Sequence, residues 1–270
     1  MLKIMTGALV ASLLLPVSHA LAQSDPQLSR EDTDQSREPR RYRIALGPQL
    51  VPSFPGSDGH VVRPMVDFST ARGDAPFAFE APDESFGFPV VDVGGVQFGT
   101  ALSVEGGRKF DGVALDETGT AFELGGFAQF AILPELRARV EVRRGLGGHK
   151  AWVGTAGLDA IARSGDRHVF SIGPRVTFSE ARYQQAYFAV TPGEATATGL
   201  SEYRPGEGVH AVGAMAGYLA QITDRWGIYS YAKYDRLIGD GGDSPVVRQL
   251  GSRDQLSGGL GLSYTFGGMR

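Results

Sequence analysis

Apolar and polar residues alternate with a period of two along most of the chain. In the last segment, small or polar residues take the odd positions, and the even positions are held by Leu256, Leu260, Leu262, Tyr264 and Phe266. In the segment 135–143, aliphatic residues alternate with charged ones in the same way. Successive side chains of a strand point to opposite faces, whereas a helix would mix both classes on every face. The pattern therefore predicts β-strands with one apolar face.

Extended over the rest of the chain, this alternation predicts about twelve strands of roughly 9–13 residues, the length of a tilted strand that crosses a membrane. The predicted spans are 42–51, 61–69, 76–90, 95–105, 120–132, 135–143, 150–162, 167–179, 181–190, 209–222, 225–238 and 254–266. An even number of strands places both termini on one side of a barrel. We therefore predict an all-β fold, an antiparallel transmembrane β-barrel of about 12 strands over residues 42–266, followed by a short C-terminal tail at 267–270.

A soluble β-sandwich or lipocalin-like barrel is the alternative fold. Its apolar face would point inward and its charged face outward, which is the reverse of a membrane barrel. The small Gly, Ser and Thr residues opposite the apolar face of the last strand favour a lumen over a solvated surface.

Turn-forming residues separate the predicted strands. Short links are predicted at Thr223-Asp224 and at 164–166, and longer loops at 52–60, 191–208 and 239–253. Aromatic residues near strand ends are candidates for the girdles that mark membrane interfaces. These candidates are Trp152, Tyr183, Tyr187, Trp226 and Tyr264.

The N-terminus has the pattern of a secretory signal peptide. A positive start at Lys3 precedes an apolar run, and small residues follow at Ser18, Ala20 and Ala22. The run is shorter than the roughly 20 apolar residues of a transmembrane helix, which argues against an uncleaved anchor. We predict a signal peptide at 1–22, cleaved after Ala22 or alternatively after Ala20. The polar segment 23–41 has almost no large apolar residues, which predicts a disordered periplasmic leader.

Composition narrows the function classes. Lys and Arg total 26 and Asp and Glu total 30, giving a net charge of −4, so the chain lacks the basic excess of a nucleic-acid-binding protein. There are no cysteines, which removes disulfides, thiol catalysis and the acylated cysteine of a lipoprotein. A mean hydropathy of −0.12 is too low for a helical membrane protein, yet it suits a barrel with a polar lumen.

The sequence offers no catalytic constellation. Of the histidines, His19 lies in the predicted signal peptide, and the others are isolated in sequence: His60, His149, His168 and His210. Within the predicted strands, His168 and Ser171 are the closest histidine–serine pair, but a separation of three puts them on opposite faces of a strand. Neither a nucleophile elbow nor a phosphate-binding glycine loop is present. We predict a protein that is not an enzyme, with no catalytic, cofactor-binding or metal-ligating residues.

Two groups of charged residues have open interpretations. The carboxylates Asp235, Asp240, Asp243 and Asp254 could bind a divalent cation, but they are more simply explained as a solvated acidic loop, partly offset by Arg248 and Arg253. The charged stripe of the segment 135–143 could line a pore. The preferred interpretation is that it pairs with Glu123 and Asp159 on neighbouring strands and fills the lumen, because wide aqueous channels need about 16–18 strands. The stripe consists of Arg137, Arg139, Glu141 and Arg143.

Three blocks of sequence resemble the MipA/OmpV family of outer-membrane proteins. They are GPQLVPSFPGSDGHVVRPMVDF at 47–68, YQQAYFAVTPGEATATGLSEYRPGEGVHAVG at 183–213, and the segment 223–266. In the third, residues at the family's spacing are Leu237, Gly239, Asp240, Asp243, Ser244, Pro245, Val247, Gly251, Ser252 and Gln255. The region 77–94 matches poorly, and the tail after Phe266 departs from the family's usual ending.

The resemblance implies a location and a set of partners. It implies an outer-membrane barrel, in contact with outer-membrane lipid and lipopolysaccharide. The family's named member is described as a scaffold that joins a lytic transglycosylase to a peptidoglycan synthase, and these two enzymes are the expected partners. A narrow porin-like channel and a surface receptor or adhesin remain alternative functions.

Overall fold

A computed structural model describes residues 38–267 of the chain. These residues form a single antiparallel sheet of 11 strands. The strands are β1 (Arg40–Pro52), β2 (His60–Arg72), β3 (Pro89–Val93), β4 (Val96–Glu105), β5 (Ala121–Leu133), β6 (Leu136–Gly147), β7 (Trp152–Ser164), β8 (His168–Ser179), β9 (Gly208–Gln221), β10 (Trp226–Leu237) and β11 (Asp254–Phe266). Strand β1 begins two residues before its predicted start, so Arg40 and Arg41 belong to the sheet and not to the leader.

Neighbours in the sheet are almost all neighbours in sequence. The order is β2-β1-β11-β10-β9-β8-β7-β6-β5-β4-β3, and the pairing of β1 with β11 joins the two ends of the strand sequence. The sheet curls until its two edges approach each other. At the end of β2, Arg63 donates a hydrogen bond of 3.0 Å to the carbonyl oxygen of Val104 on β4. The edge strands β2 and β3 form no ladder with each other within residues 38–267. The Arg63 side chain is therefore a contact across the gap between the two edges of the sheet.

Odd-numbered and even-numbered residues of the strands point to opposite faces of the sheet. Odd-numbered residues such as Ala45, Glu141 and Ser263 face the interior and are buried, whereas even-numbered ones such as Leu124 and Leu260 are exposed. The exposed even positions carry large apolar side chains, with 59% of Leu260 and 51% of Leu124 accessible. An apolar exterior around a polar interior is the arrangement of a membrane barrel. The soluble alternative, with its apolar face inward, is therefore wrong.

The third predicted strand, 76–90, is wrong over most of its length. Only Pro89–Val93 forms a strand there, preceded by an isolated bridge between Phe86 and Leu102, while residues 77–85 enter the interior of the sheet; we call residues 77–85 the luminal segment. Pro82 cannot donate a backbone hydrogen bond to a strand ladder. The adjacent charges Asp83 and Glu84 would also place one carboxylate on the lipid face of any strand, which is costly. Both carboxylates instead face cationic residues inside.

The ninth predicted strand, 181–190, is also wrong. It is helix α1 (Ala181–Phe188), followed by α2 (Pro192–Thr198), α3 (Gly239–Asp243) and α4 (Pro245–Leu250) in the long loops. Tyr183 and Tyr187 are four residues apart, lie on one helix face and are buried, so they are not girdle residues as predicted. Trp152 and Trp226 are exposed near strand ends, as expected of girdle residues. No helix among residues 38–267 is long and apolar enough to cross a membrane.

The two ends of the sheet differ. At the end where β1 begins and β11 finishes, consecutive strands are joined by short turns at 94–95, 134–135, 165–167 and 222–225. At the other end, all four helices and the loop 106–120 connect the strands. In outer-membrane barrels, short turns lie on the periplasmic side and long loops on the extracellular side. The predicted signal peptide at 1–22 and residues 23–37 of the predicted leader lie outside the described residues.

Candidate functional site

The charged stripe of β6 is paired inside the barrel. Arg137 lies 2.7 Å from Asp159 on β7, and Arg143 lies 2.7 Å from Glu123 on β5. Arg139 lies 2.9 Å from Glu141 on its own strand. Arg143 is half-buried and the other side chains are buried, so each charge is compensated within the protein as the interior requires. The predicted pairing with Glu123 and Asp159 is confirmed.

The luminal segment supplies further carboxylates to this network. Asp83 accepts hydrogen bonds of 2.9 and 3.0 Å from Arg175 on β8, and lies 3.4 Å from Lys233 on β10. Glu84 pairs with Arg137 and lies 3.6 Å from Arg139. The segment is therefore held by cations from three different strands of the wall. Sequence reasoning missed these pairs because the segment was assigned to the wall itself.

Aromatic side chains anchor the start of the luminal segment. The guanidinium groups of Arg41 and Arg43 lie 4.9 and 4.5 Å from the ring centre of Phe77, within the range of cation–π attraction. The backbone N–H of Phe77 also donates to Asp166 at 2.9 Å. Next along the chain, Phe79 packs against a buried cluster that includes Met65, Leu219 and Tyr229. The segment thus fills the end of the lumen nearest the short turns.

The other end of the lumen is covered by the loops. We call this cover the cap; it comprises helices α1–α4 with the loops 53–59 and 106–120. The cap has an apolar core of its own around Phe54, Tyr187, Phe188 and Val247. Tyr187 is fully buried and donates a hydrogen bond of 3.0 Å to the carbonyl oxygen of Gly106. A packed core of this kind holds the cap as a folded layer and not as a set of loose loops.

A buried ion pair ties the loop 106–120 to helix α2. Arg108 lies 3.0 Å from Glu194, which also accepts the backbone N–H groups of Asp116 at 2.7 Å and Thr191 at 2.6 Å. Burial by itself would raise the pKa of Glu194. The N–H groups of Thr191 and Asp116, together with Arg108, more than offset this and lower its pKa below the usual value. The carboxylate is therefore charged at neutral pH and holds the loop to the helix.

Between the luminal segment and the cap lies a cavity of about 1090 Å³. Its wall carries both signs of charge, with Arg139, Arg175 and Lys233 opposite Asp83 and Glu123. Each of these five groups already has an ion-pair partner. The cavity is therefore polar and electrically compensated, without a concentration of one charge that would select an ion.

The histidines are isolated in sequence, but the structure brings the rings of His149 and His210 to 4.8 and 5.2 Å from the ring centre of Tyr183. His168 is exposed while Ser171 is buried, so these two residues do face opposite ways. The structure does bring together one pair that sequence reasoning missed, with Ser179 Oγ 3.0 Å from His210 Nδ1 on the neighbouring strand. Within residues 38–267, no carboxylate hydrogen-bonds to His210 to orient its ring. A nucleophile–base pair needs such an orienting group, and this buried pair is explained as a hydrogen bond between β8 and β9.

The four carboxylates considered for cation binding do not converge. Asp235 lies 3.0 Å from Lys233, Asp254 lies 2.6 Å from Arg236, and Asp243 lies 2.5 Å from Arg253. Asp240 accepts the backbone N–H of Gly206 at 2.7 Å. Each carboxylate thus has a separate partner, and the predicted offset by Arg253 is confirmed. Across the described residues, no group of three or more His, Cys, Asp or Glu side chains is arranged to hold a metal ion.

Solved structures similar to this chain include several barrel proteins. The KdgM porin has a TM-score of 0.35 and 11% identity, covering 83% of this chain and 99% of that chain. The translocator domain of the autotransporter NalP from Neisseria meningitidis has a TM-score of 0.33 and 13% identity, covering 89% and 95%. The outer-membrane protein OprG from Pseudomonas aeruginosa has a TM-score of 0.28 and 10% identity, covering 85% and 97%.

No curated protein matches the chain. Residues 44–266 match the family described as "MltA-interacting protein MipA", which spans all eleven strands except the first residues of β1. The match confirms the resemblance carried by the three sequence blocks. Together with the apolar exterior and the polar interior of the sheet, it assigns both family and location. The chain belongs to the MipA family and is an outer-membrane β-barrel protein.

Proposed function

We propose that this protein is a non-enzymatic scaffold of the outer membrane, linked to the machinery that synthesises and remodels peptidoglycan. The observation that carries the proposal is a lumen obstructed at both ends, by the luminal segment and by the cap, in a barrel from a family named for an interaction with MltA, a lytic transglycosylase. A barrel whose interior is closed by its own chain acts through its surfaces. We also propose that a signal peptide at 1–22 directs export and is then cleaved after Ala22.

The surface available to cell-wall enzymes is the end with the short turns. These enzymes work in the periplasm, and the arrangement of turns and loops supports a periplasmic position for this end. It presents the turns 165–167 and 222–225, together with the start of the luminal segment. The leader, shortened to 23–39 by the start of β1, precedes the strand that begins at this end. We therefore propose that a lytic transglycosylase and a peptidoglycan synthase bind the turns and the leader.

Affinity capture from mildly solubilised envelopes tests the scaffold. We expect a lytic transglycosylase and a peptidoglycan synthase to co-purify with the tagged protein, as identified by mass spectrometry. Replacing 222–225 by a turn of the same length without charge should reduce their recovery. As a matched control, the same replacement of the exposed residues 201–202 on the cap should leave it unchanged. A folded protein that never enriches either enzyme would remove the scaffold function.

A narrow channel is the competing function, and the remaining cavity of about 1090 Å³ is the observation in its favour. The luminal segment at one end and the cap at the other both obstruct ion flow. We expect no sustained conductance from the purified protein in planar bilayers. Steady unitary currents from the unmodified chain would replace the scaffold by a channel.

A surface receptor or adhesin is favoured by the cap, because a loop layer with its own core can present a fixed surface. Shortening α2 and its flanking loop, 191–207, should then abolish attachment while the barrel still folds. Under the scaffold proposal, the same deletion should leave capture of the cell-wall enzymes intact.

A further inference from the structure

Most charged side chains at the loop end of the barrel have a partner of opposite charge. Arg236 lies 2.6 Å from Asp254, and Lys109 lies 3.6 Å from Glu117. Five exposed cations differ, since they have no carboxylate within ion-pair distance among residues 38–267; they are Arg144, Lys150, Arg182, Arg204 and Arg248. Arg144, Lys150 and Arg182 lie around one strand end, and we call these three residues the cationic triad.

The strand register brings the triad together around Trp152. Arg144 on β6 is the direct cross-strand partner of Trp152 on β7, and its guanidinium lies 5.5 Å from the indole ring. Lys150 is in the turn that leads into Trp152. The backbone N–H of Glu180 donates to the carbonyl oxygen of Trp152 at 3.1 Å, which places the start of α1, with Arg182, on the other side of the same residue.

The surroundings of the triad are apolar on the membrane side. Leu124 on β5 is the cross-strand partner of Arg144, and Val142 is the next outward-facing residue of β6 toward the short turns; 51% and 38% of their surfaces are exposed. Trp152 itself is 43% exposed and faces outward, as an interfacial aromatic residue does. Glu180 precedes α1 and is the carboxylate closest in sequence to Arg182, so at least two of the three positive charges remain without an offset. The sector therefore combines a net positive charge with an apolar surface that faces lipid.

We propose that the cationic triad binds the phosphate groups of lipid A, the membrane anchor of lipopolysaccharide. Lipid A carries phosphate groups on a sugar headgroup and several acyl chains, so its charge and its apolar part match the two halves of the sector. Arginine binds phosphate oxygens through paired N–H groups, and lysine adds a point charge. The assignment rests on the outer-membrane location and on the loop end facing outward, and it is independent of any cell-wall partner.

Trp152 provides the readout for a binding experiment. The chain has two tryptophans, so the substitution Trp226→Phe leaves Trp152 as the single indole fluorophore. The full barrel in detergent is titrated with lipid A while its fluorescence is followed, and native mass spectrometry of the complex gives an independent measure. We expect saturable binding to lipid A and weak binding to dephosphorylated lipid A or to phosphatidylglycerol.

The variant Arg144→Gln/Lys150→Gln/Arg182→Gln should weaken binding by about tenfold or more, since each exposed charge contact contributes a modest share. Arg236→Gln is the matched control at the same end of the barrel and should bind as the parent does. Folding of each variant is checked by heat-modifiable mobility. Should the triple variant not fold, Arg182→Gln alone lies in the cap and is expected to lose a smaller, measurable part of the affinity.

Three results would each overturn the proposal. The first is equal binding of phosphorylated and dephosphorylated lipid A. The second is equal binding of phosphatidylglycerol, which would make the sector a general anionic lipid surface. The third is unchanged affinity in the triad variants. None of these results bears on capture of cell-wall enzymes, so failure here is distinguishable from failure of the scaffold.

Discussion

Removing the carboxylates of the luminal segment should release it from the barrel wall. The double variant Asp83→Asn/Glu84→Gln keeps the shape of both side chains and removes their charges. In the parent protein, Asp83 neutralises Arg175 and Lys233, and Glu84 neutralises Arg137. The perturbation therefore leaves buried cations with fewer counter-charges, while the aromatic anchors near Phe77 are untouched.

The size of the effect follows from the burial of the pairs. The side chains of Asp83 and Glu84 are 5% and 12% exposed, so water screens these interactions weakly. Removing one partner of a buried ion pair costs about 3–5 kcal/mol. The two carboxylates share one network, so their costs do not simply add. Taking the lower figure, about 3 kcal/mol raises the population of the undocked segment by about a hundredfold.

A single cysteine measures that population, because the chain has none of its own. Ala81 is 4% exposed and lies within the luminal segment, so Ala81→Cys adds a small thiol that is protected while the segment is docked. We expect its alkylation by a membrane-impermeant maleimide to be slow in the parent and about a hundredfold faster in the double variant. Asp254→Asn, which breaks an exposed pair, is the control and should not change the rate.

Two results would refute the reasoning about the luminal segment. Alkylation of the double variant within about threefold of the parent rate would mean that the ion pairs do not hold the segment in place. Fast alkylation in the parent would mean that the segment does not occupy the lumen at all.

Two further predictions concern the cap and the sheet. Because the pKa of Glu194 is lower in the folded protein than in the unfolded chain, its stabilising contribution is complete above the unfolded carboxyl pKa of about 4.3 and is lost as the pH falls through the folded pKa. The protection of the loop 106–120 against hydrogen exchange, relative to the intrinsic rate at each pH, should therefore fall as the pH drops through the folded pKa, and Glu194→Gln should make it low and nearly independent of pH; a parent whose protection does not fall in acid would contradict the assignment. Gly47→Ala would place a methyl group 2.1 Å from the carbonyl oxygen of Leu260, which should cost roughly 1–3 kcal/mol or more and lower the thermal midpoint, whereas Gly193→Ala, with open space around it, should not.

The sequence by itself determined the wall of the barrel. Strict alternation, as in the stretch from Leu256 to Phe266, assigns strands because only an extended chain separates the two classes onto two faces. The same alternation predicted which residues face outward, and it placed the charged stripe of β6 inside, where pairing with Glu123 and Asp159 was the preferred interpretation. These are local properties or contacts between adjacent strands, so the order of residues is enough to infer them.

The tertiary structure alone decided what fills the barrel. Residues 76–88 alternate weakly, and only the positions of Arg175 and Lys233 across the lumen show why Asp83 lies inside. In the segment 181–190, Tyr183 and Tyr187 are four residues apart. That separation places two side chains on the same face of a strand and also on the same face of a helix. The cap core selects the helix, since Tyr187 and Phe188 are then buried together. Contacts between residues far apart in sequence settle such segments, and alternation along the chain contains no information about them.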